Sequence, residues 1–215
     1  MMVDHYKIAR KKMLDEQLIP RGIKDEKVLQ VIGSLPRHCF VQEALVSQAY
    51  SDYPLNIGEG QTISQPYIVA LMTQCLALKG DEKILEIGTG CGYQAAVLAK
   101  LCKAVYSIER IKNLSNKARR TLYELGLFNA KLKIGDGTLG WPENAPYDGI
   151  VVTAGAPVIP EELVKQLKDG GRLVIPVGDQ ETQIMKIITR RGSSYVTEDV
   201  TPCRFVKLIG KQGWK

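Results

Sequence analysis

The chain is poor in the residues from which proton relays, metal sites and disulfide frameworks are built. It has two histidines, His5 and His38, and five cysteines, Cys39, Cys75, Cys91, Cys102 and Cys203. The cysteine number is odd and no C-x-x-C spacing occurs, which argues against disulfides and zinc and for free thiols in a reducing compartment. No apolar run is long enough to cross a membrane and no signal-peptide pattern opens the sequence, so a cytoplasmic protein with no membrane partner is expected. No dense Lys/Arg block occurs either. The formal charge of +6, from 29 basic and 23 acidic residues, reads as a solvated surface, not a nucleic-acid face. Repeats and low-complexity tracts are absent. A chain of 215 residues is long enough to bury a sizeable core in one domain.

What the chain does have is glycine at a telling spacing. Lys83-Ile84-Leu85-Glu86-Ile87-Gly88-Thr89-Gly90-Cys91-Gly92-Tyr93 reads as a buried strand, a glycine turn and a helix through Ala95, Ala96, Val97, Leu98 and Leu101. Glycines let the backbone approach a ligand where a Cβ would collide, and the helix start offers unpaired N–H groups. A dinucleotide fingerprint is G-x-G-x-x-G. Here Tyr93 stands where its third glycine would be, the order is G-x-G-x-G, and Glu86 lies two positions upstream. That pattern resembles the first motif of the class I S-adenosylmethionine methyltransferases. Cys91 within the loop reads as a tolerated small residue.

The segments before this unit read as an accessory layer. Helical spacing of Tyr6, Ile8, Met13, Leu14 and Leu18 stops at Pro20-Arg21-Gly22; a second helix starts near Asp25 with Val28, Leu29 and Ile32 on one face and ends before Leu35-Pro36. Residues 36–60 are rich in turn formers, a long loop of the kind that often carries function. Gln61-Thr62-Ile63-Ser64-Gln65-Pro66 leads into a helix to about Ala77. After the glycine turn the pattern predicts strands over 104–108, 131–134, 147–153 and 173–178, alternating with helices over 113–125 and 160–167 that Gly126 and Gly170-Gly171 stop. Stretches 183–189, 195–200 and 204–209 read as an antiparallel end to the sheet. The fold expected is α/β: a Rossmann-like, doubly wound, mostly parallel sheet over 81–215, with 1–80 as a helical and loop cover.

In such a sheet ligands bind at the carboxyl ends of the strands near the topological switch. Those ends carry Gly88, Thr89, Gly90 and Gly92, then Glu109, Asp136 and Thr153. Glu109 can accept both hydroxyls of a ribose, and Asp136 beside Gly137 can accept an adenine amino group; each is equally a turn or cap residue. Jointly with the glycine loop they point to an adenosyl ligand. Methyl transfer from a sulfonium needs alignment above all. An amine or hydroxyl acceptor also needs a base, whereas a carboxylate is already ionised. His38 reads as an ordinary polar surface histidine, and this shortage of bases favours an ionised acceptor. Thr153-Ala154-Gly155-Ala156-Pro157 lacks the [DN]-P-P-[YF] of nucleic-acid amino methylases.

Over nearly its whole length the chain resembles the protein-L-isoaspartate O-methyltransferase family. The resemblance is carried by Gly60-Gln61-Thr62-Ile63-Ser64-Gln65-Pro66-Tyr67, by the glycine loop through Ala96, by Tyr106-Ser107-Ile108-Glu109-Arg110 and by Gly135-Asp136-Gly137. Gly140-Trp141-Pro142-Glu143, Tyr147-Asp148, Val174-Ile175-Pro176-Val177-Gly178 and Arg204-Phe205-Val206 add to it. It implies methylation of the free α-carboxylate of L-isoaspartyl residues in damaged proteins and peptides, with S-adenosylmethionine as cofactor and no metal. It implies Ser64 as the active-site serine, although spacing alone reads Ser64 as the N-cap of the helix entered at Pro66. The cofactor residues implied are Gln61, Thr62, Ile63, Glu86, Gly88, Thr89, Gly90, Gly92, Glu109, Arg110, Asp136 and Gly137; Ile63, Ser64, Phe205 and Val206 would line the peptide site. A monomer is expected, as is an exchange of the last two strands relative to other class I enzymes. Five residues depart from the family pattern: Asn56, the pair His38-Cys39, Cys91, and Lys207 in place of the usual proline. Lys207 flanks the expected peptide site and leaves substrate preference open. A methyltransferase for another carboxylate or small molecule, and a non-catalytic cofactor-binding module, are the alternatives; the glycine spacing disfavours an NAD-linked enzyme.

Overall fold

The computed structural model describes residues 6–215; His5 lies outside the described residues. The first helix, α1 (Lys7–Lys12), runs on through a wider π-type turn at Met13–Leu18 and a tight turn at Ile19–Arg21, and Gly22 ends it in the left-handed region. Helix α2 (Glu26–Ser34) starts where the Asp25 carboxylate caps the N–H groups of Lys27 and Val28, and buries Val28 and Ile32. The long loop contains a two-stranded hairpin, β1 (Leu55–Gly58) and β2 (Gln61–Ile63), which the sequence pattern did not reveal. Helix α3 spans Pro66–Leu76.

The main sheet holds β3 (Lys83–Ile87), β4 (Ala104–Glu109), β5 (Ala130–Ile134), β6 (Tyr147–Val152), β7 (Leu167–Gly178), β8 (Gln183–Arg191) and β9 (Ser194–Cys203), in the order β5-β4-β3-β6-β7-β8-β9. Pairing is parallel from β5 to β7 and antiparallel from β7 to β9. The last two strands thus follow one another in space as in the chain. Between them lie α4 (Tyr93–Leu101), α5 (Lys112–Glu124) and α6 (Glu161–Lys165).

Strand residues divide between two apolar layers. Ile84, Val105, Val151 and Val174 face one layer with Met13, Ile32, Met72, Val97, Leu98 and Leu114. Leu85, Tyr106, Ile150 and Leu173 face the other with Tyr147, Leu163 and Leu208. Both faces being covered, the central strands read as continuous apolar runs. The first layer joins the N-terminal cover to the sheet in one continuous core.

Two expectations need correction. Residues 160–167 do not form one helix: α6 stops at Lys165, and Leu167 already pairs with Tyr147. Residues 204–209 are not a strand. They touch the sheet through a single parallel bridge between Lys207 and Gly155, because the Gln183 side chain holds Phe205 N–H and Gly155 holds Val206 C=O. Their apolar residues, Phe205, Val206, Leu208 and Ile209, instead fold over the ends of the strands.

Candidate active site

The glycine turn joins β3 to α4 at the switch between β4 and β6. Gly88, Gly90 and Gly92 all have positive φ, at 97°, 53° and 92°. A Cβ on Gly88 would collide with the Thr153 hydroxyl, which donates to the carbonyls of Gly88 at 2.6 Å and Ile87 at 3.0 Å. Thr153 thereby ties the turn to the end of β6. A Cβ on Gly137 would strike the Ile87 side chain, and one on Gly90 would lie 3.4 Å from Ile57 of the hairpin. Small residues are needed here because three elements converge.

Above the turn opens a cleft. One wall holds Gly88, Thr89, Gly90, Glu109, Arg110 and Gly137; Gln61, Thr62, Ile63 and Ser64 form a second, and Val206, Lys207, Leu208 and Ile209 a third. A hydrogen bond from Asn113 to the Glu59 carboxylate, 3.0 Å, fastens the hairpin across α5. A second cavity adjoins the cleft. It shares Thr62, Ser64, Thr153 and Val206 with the cleft and adds Tyr67, Arg204 and Phe205.

Glu109 ends β4 with its carboxylate in the cleft wall. One oxygen accepts from Gly90 N–H at 2.8 Å and the other from Ile111 N–H at 2.9 Å. Each oxygen keeps acceptor capacity, so the group suits two adjacent hydroxyls. Turn, carboxylate and narrow apolar sides formed by Ile87, Ile108 and Leu208 fit the ribose and base of S-adenosylmethionine.

Three residues expected at the cofactor have other positions. Glu86 is fully buried behind the turn and absent from the cleft wall. Ser107 donates to it and in turn contacts the Thr89 hydroxyl at 2.5 Å. Burial, aided by the nearby Glu109 charge and opposed by the Ser107 bond, pushes Glu86 up to about 8, which favours its neutral form. It shapes the turn through Ser107 and Thr89. Gly92 starts α4 and lets it approach α5, where a Cβ would meet Ala118 Cβ at 3.1 Å. Asp136 is a turn residue. Its Oδ1 accepts from Thr138 N–H at 2.9 Å and the Thr138 hydroxyl at 2.6 Å, and its Oδ2 accepts from Lys211 N–H at 2.8 Å. Burial works against these bonds, but together they hold Asp136 below the usual carboxylate range.

Ser64 is not the N-cap of α3. Gln65 occupies that position without a side-chain cap bond, and Tyr67 N–H is taken by Asp52, 3.2 Å away and fifteen residues earlier. The Ser64 hydroxyl makes no hydrogen bond among the described residues and stands where cleft and second cavity meet. Among the described residues that line the two cavities there is no histidine, and the one acid is Glu109. His38 stacks on Tyr6 at 4.1 Å and bonds the Tyr50 hydroxyl at 2.7 Å, outside the cleft. Cys91 lines the cleft, but burial pushes its thiol up to about 11.

The sequence reading missed Tyr93, Gln94, Ala154, Leu208 and Ile209 in the cleft wall. Tyr93 and Gln94 follow the glycine turn directly and were legible as neighbours. Leu208 and Ile209 were concealed by the strand assigned to them.

The chain is similar over nearly its whole length to several named proteins. A Geobacter metallireducens protein named protein-L-isoaspartate O-methyltransferase is 58% identical over 211 residues, 98% of each chain. One of the same name from Desulfotalea psychrophila is 54% identical over 214 residues, the whole of both. A solved protein-L-isoaspartate O-methyltransferase superposes with a TM-score of 0.85 at 31% identity, covering 95% of this chain and 67% of that one. A Plasmodium falciparum β-aspartate methyltransferase solved with S-adenosyl-L-homocysteine gives 0.80 at 26% identity, covering 96% and 99%. The family description Protein-L-isoaspartate(D-aspartate) O-methyltransferase matches residues 9–213, and the chain belongs to that family.

Proposed function

We propose that this chain methylates the free α-carboxylate of L-isoaspartyl residues in proteins and peptides, the step that starts their conversion through a succinimide back to aspartate. The observation that carries this reading is the Ser64 hydroxyl, unpartnered among the described residues, at the junction of two cavities whose described lining holds no histidine and one acid, Glu109. Such a site suits an acceptor that is already ionised. S-adenosylmethionine, bound in the cleft, supplies a methyl group with its own leaving group. Gly88, Thr89, Gly90 and Glu109 hold the ribose side, Gly137 and Arg110 flank the base, and Gln61, Thr62 and Ile63 cover the sulfonium. Ser64 donates a hydrogen bond to one oxygen of the acceptor and turns the other toward the methyl group. Val206 C=O is held by Gly155 N–H at 2.8 Å, whereas Val206 N–H has no partner among the described residues and is offered to a peptide backbone. Phe205 and Tyr67 give the second cavity an apolar side for that peptide. Residues 1–80 act as the substrate cover, the chain works as a cytoplasmic monomer, and it engages neither nucleic acid nor membrane; no helix among the described residues is long and apolar enough to cross one.

The test is transfer of labelled methyl from S-adenosylmethionine to two peptides identical except for L-isoaspartate or L-aspartate at one position. Labelling of the isoaspartyl peptide alone is expected. No labelling of either, with cofactor binding intact, would redirect the reading to another carboxylate.

A further inference from the structure

Arg37 is fully buried. Its Nε donates to Ala49 C=O and its Nη2 to Ser64 C=O, both at 2.7 Å. Its guanidinium carbon lies 4.6 Å from the centre of the Tyr93 ring. Among the described residues Arg37 forms no ion pair and its Nη1 has no acceptor in hydrogen-bond geometry, although the Tyr93 hydroxyl is near enough to act on the guanidinium. The titratable groups that act on it most strongly are Tyr93, Cys91 and Tyr50. Burial pushes Tyr93 up to about 12 and Cys91 to about 11 and also raises Tyr50, so all three are neutral at pH 7.

A cation taken out of water without an anion is strongly unfavourable. Holding two carbonyls does not require a charge, since a neutral amide donates as well. The position of the charge indicates what it serves. Of the two acids at the glycine turn, Glu86 is buried and held toward its neutral form, and Glu109, in the cleft wall, accepts from Gly90 and Ile111 N–H. The guanidinium instead lies directly behind the Ser64 peptide, at the end of the cleft that meets the second cavity. Screening by water is weak there, so its field reaches through that peptide to whatever the Ser64 hydroxyl binds.

We propose that Arg37 is a positioning residue for the acceptor: its buried charge, held against the Ser64 carbonyl, draws an ionised carboxylate to the Ser64 hydroxyl and keeps it ionised there. This rests on the carboxylate-methylating reading above. Arg37 transfers nothing itself; it places Ser64 and biases the site toward an anion.

The test compares binding of an isoaspartyl peptide with the same peptide carrying a neutral α-carboxamide, titrated in the presence of S-adenosylhomocysteine. Wild type, Arg37→Met and Arg37→Lys are used, with thermal unfolding and S-adenosylmethionine affinity measured on each. At an effective dielectric near 20 and a separation of roughly 8 Å, the charge corresponds to about a 30-fold preference for the carboxylate. Arg37→Met is expected to reduce that preference to about threefold or less while cofactor affinity stays within about threefold. Arg37→Lys is expected to keep the preference even where turnover falls through misplaced Ser64. An unchanged preference in Arg37→Met, or cofactor affinity falling as far as carboxylate affinity, overturns the proposal. If Arg37→Met does not fold, Arg37→Lys decides: loss of the preference with the charge retained overturns it. A wild-type chain that binds cofactor but methylates no isoaspartyl peptide would instead mark failure of the functional reading.

Discussion

Glu109 and Glu86 stand at the ends of neighbouring strands and have opposite tasks. Glu109 faces the cleft and anchors two N–H groups. On the proposed role of Glu109 as acceptor for the ribose hydroxyls, Glu109→Ala is expected to weaken S-adenosylmethionine binding by about 1.5–3 kcal/mol. Calorimetric titration checks this, and unchanged affinity would remove the ribose assignment. Burial of Glu86 favours its neutral form. An acid that titrates near 4.5 when exposed and near 8 when folded binds more protons in the native than in the unfolded state between those values. Its presence therefore lowers stability progressively as pH rises from about 4.5 to 8, and the loss is complete above that range. Glu86→Gln keeps shape and a partner for Ser107 but cannot ionise. The variant is expected to gain stability relative to wild type from pH 6 to pH 9, read as the difference in thermal midpoint of the two cofactor-free proteins. A constant difference across that range would mean that Glu86 is ionised in the fold.

The C-terminal tail shows how an element outside the sheet completes the cleft. Trp214 Nε1 donates to Gly155 C=O at 3.0 Å and its backbone N–H to Leu208 C=O at 2.7 Å, which folds the tail back over β6. Lys211 N–H is bound to Asp136, and Gln212 N–H to the Thr138 hydroxyl at 3.1 Å. Leu208 and Ile209, held between these anchors, line the cleft. Asp136→Asn leaves Oδ1 for Thr138 but turns an amide N–H toward Lys211 N–H. It is expected to cost about 1–2 kcal/mol of stability and to weaken cofactor binding together with it. A loss of affinity with an unchanged melting temperature would make Asp136 a cofactor ligand alone. This double allegiance was not legible in the sequence, since Lys211 lies 75 residues away. The strand-turn-helix unit was legible because all that it needs is local: an apolar run, three glycines and a run of helix formers. The third antiparallel strand was misread for the converse reason. Residues 204–209 are rich in apolar β-formers, as a strand is, but their partners, Gln183 and Gly155, come from elsewhere. Ser64 was open between cap and site until Asp52, also distant in sequence, was seen to serve the helix instead.

At the scale of the whole molecule, the cover and the sheet share one apolar layer, from Met13 and Ile32 through Val97 to Val174, and the cleft opens where they meet. A ligand in that cleft touches the hairpin, the glycine turn and the residues after β9 together, so it stabilises the assembly and not one part of it. The cofactor-free protein is expected to unfold in a single transition. S-adenosylmethionine at about a hundred times its dissociation constant contributes about 2.7 kcal/mol. For a chain of this size, where about 1 kcal/mol corresponds to roughly 2–4 °C, the midpoint is expected to rise by roughly 5–11 °C. NAD, whose pyrophosphate calls for the other glycine spacing, is expected to leave it unchanged. Differential scanning calorimetry with each ligand makes both comparisons. Two transitions, of which S-adenosylmethionine moves only the later, would mean that residues 1–80 form a separable cover and that Ser64 takes no part in holding the cofactor. One transition moved as a whole would mean that cofactor binding presets the Ser64 end of the cleft before any peptide arrives.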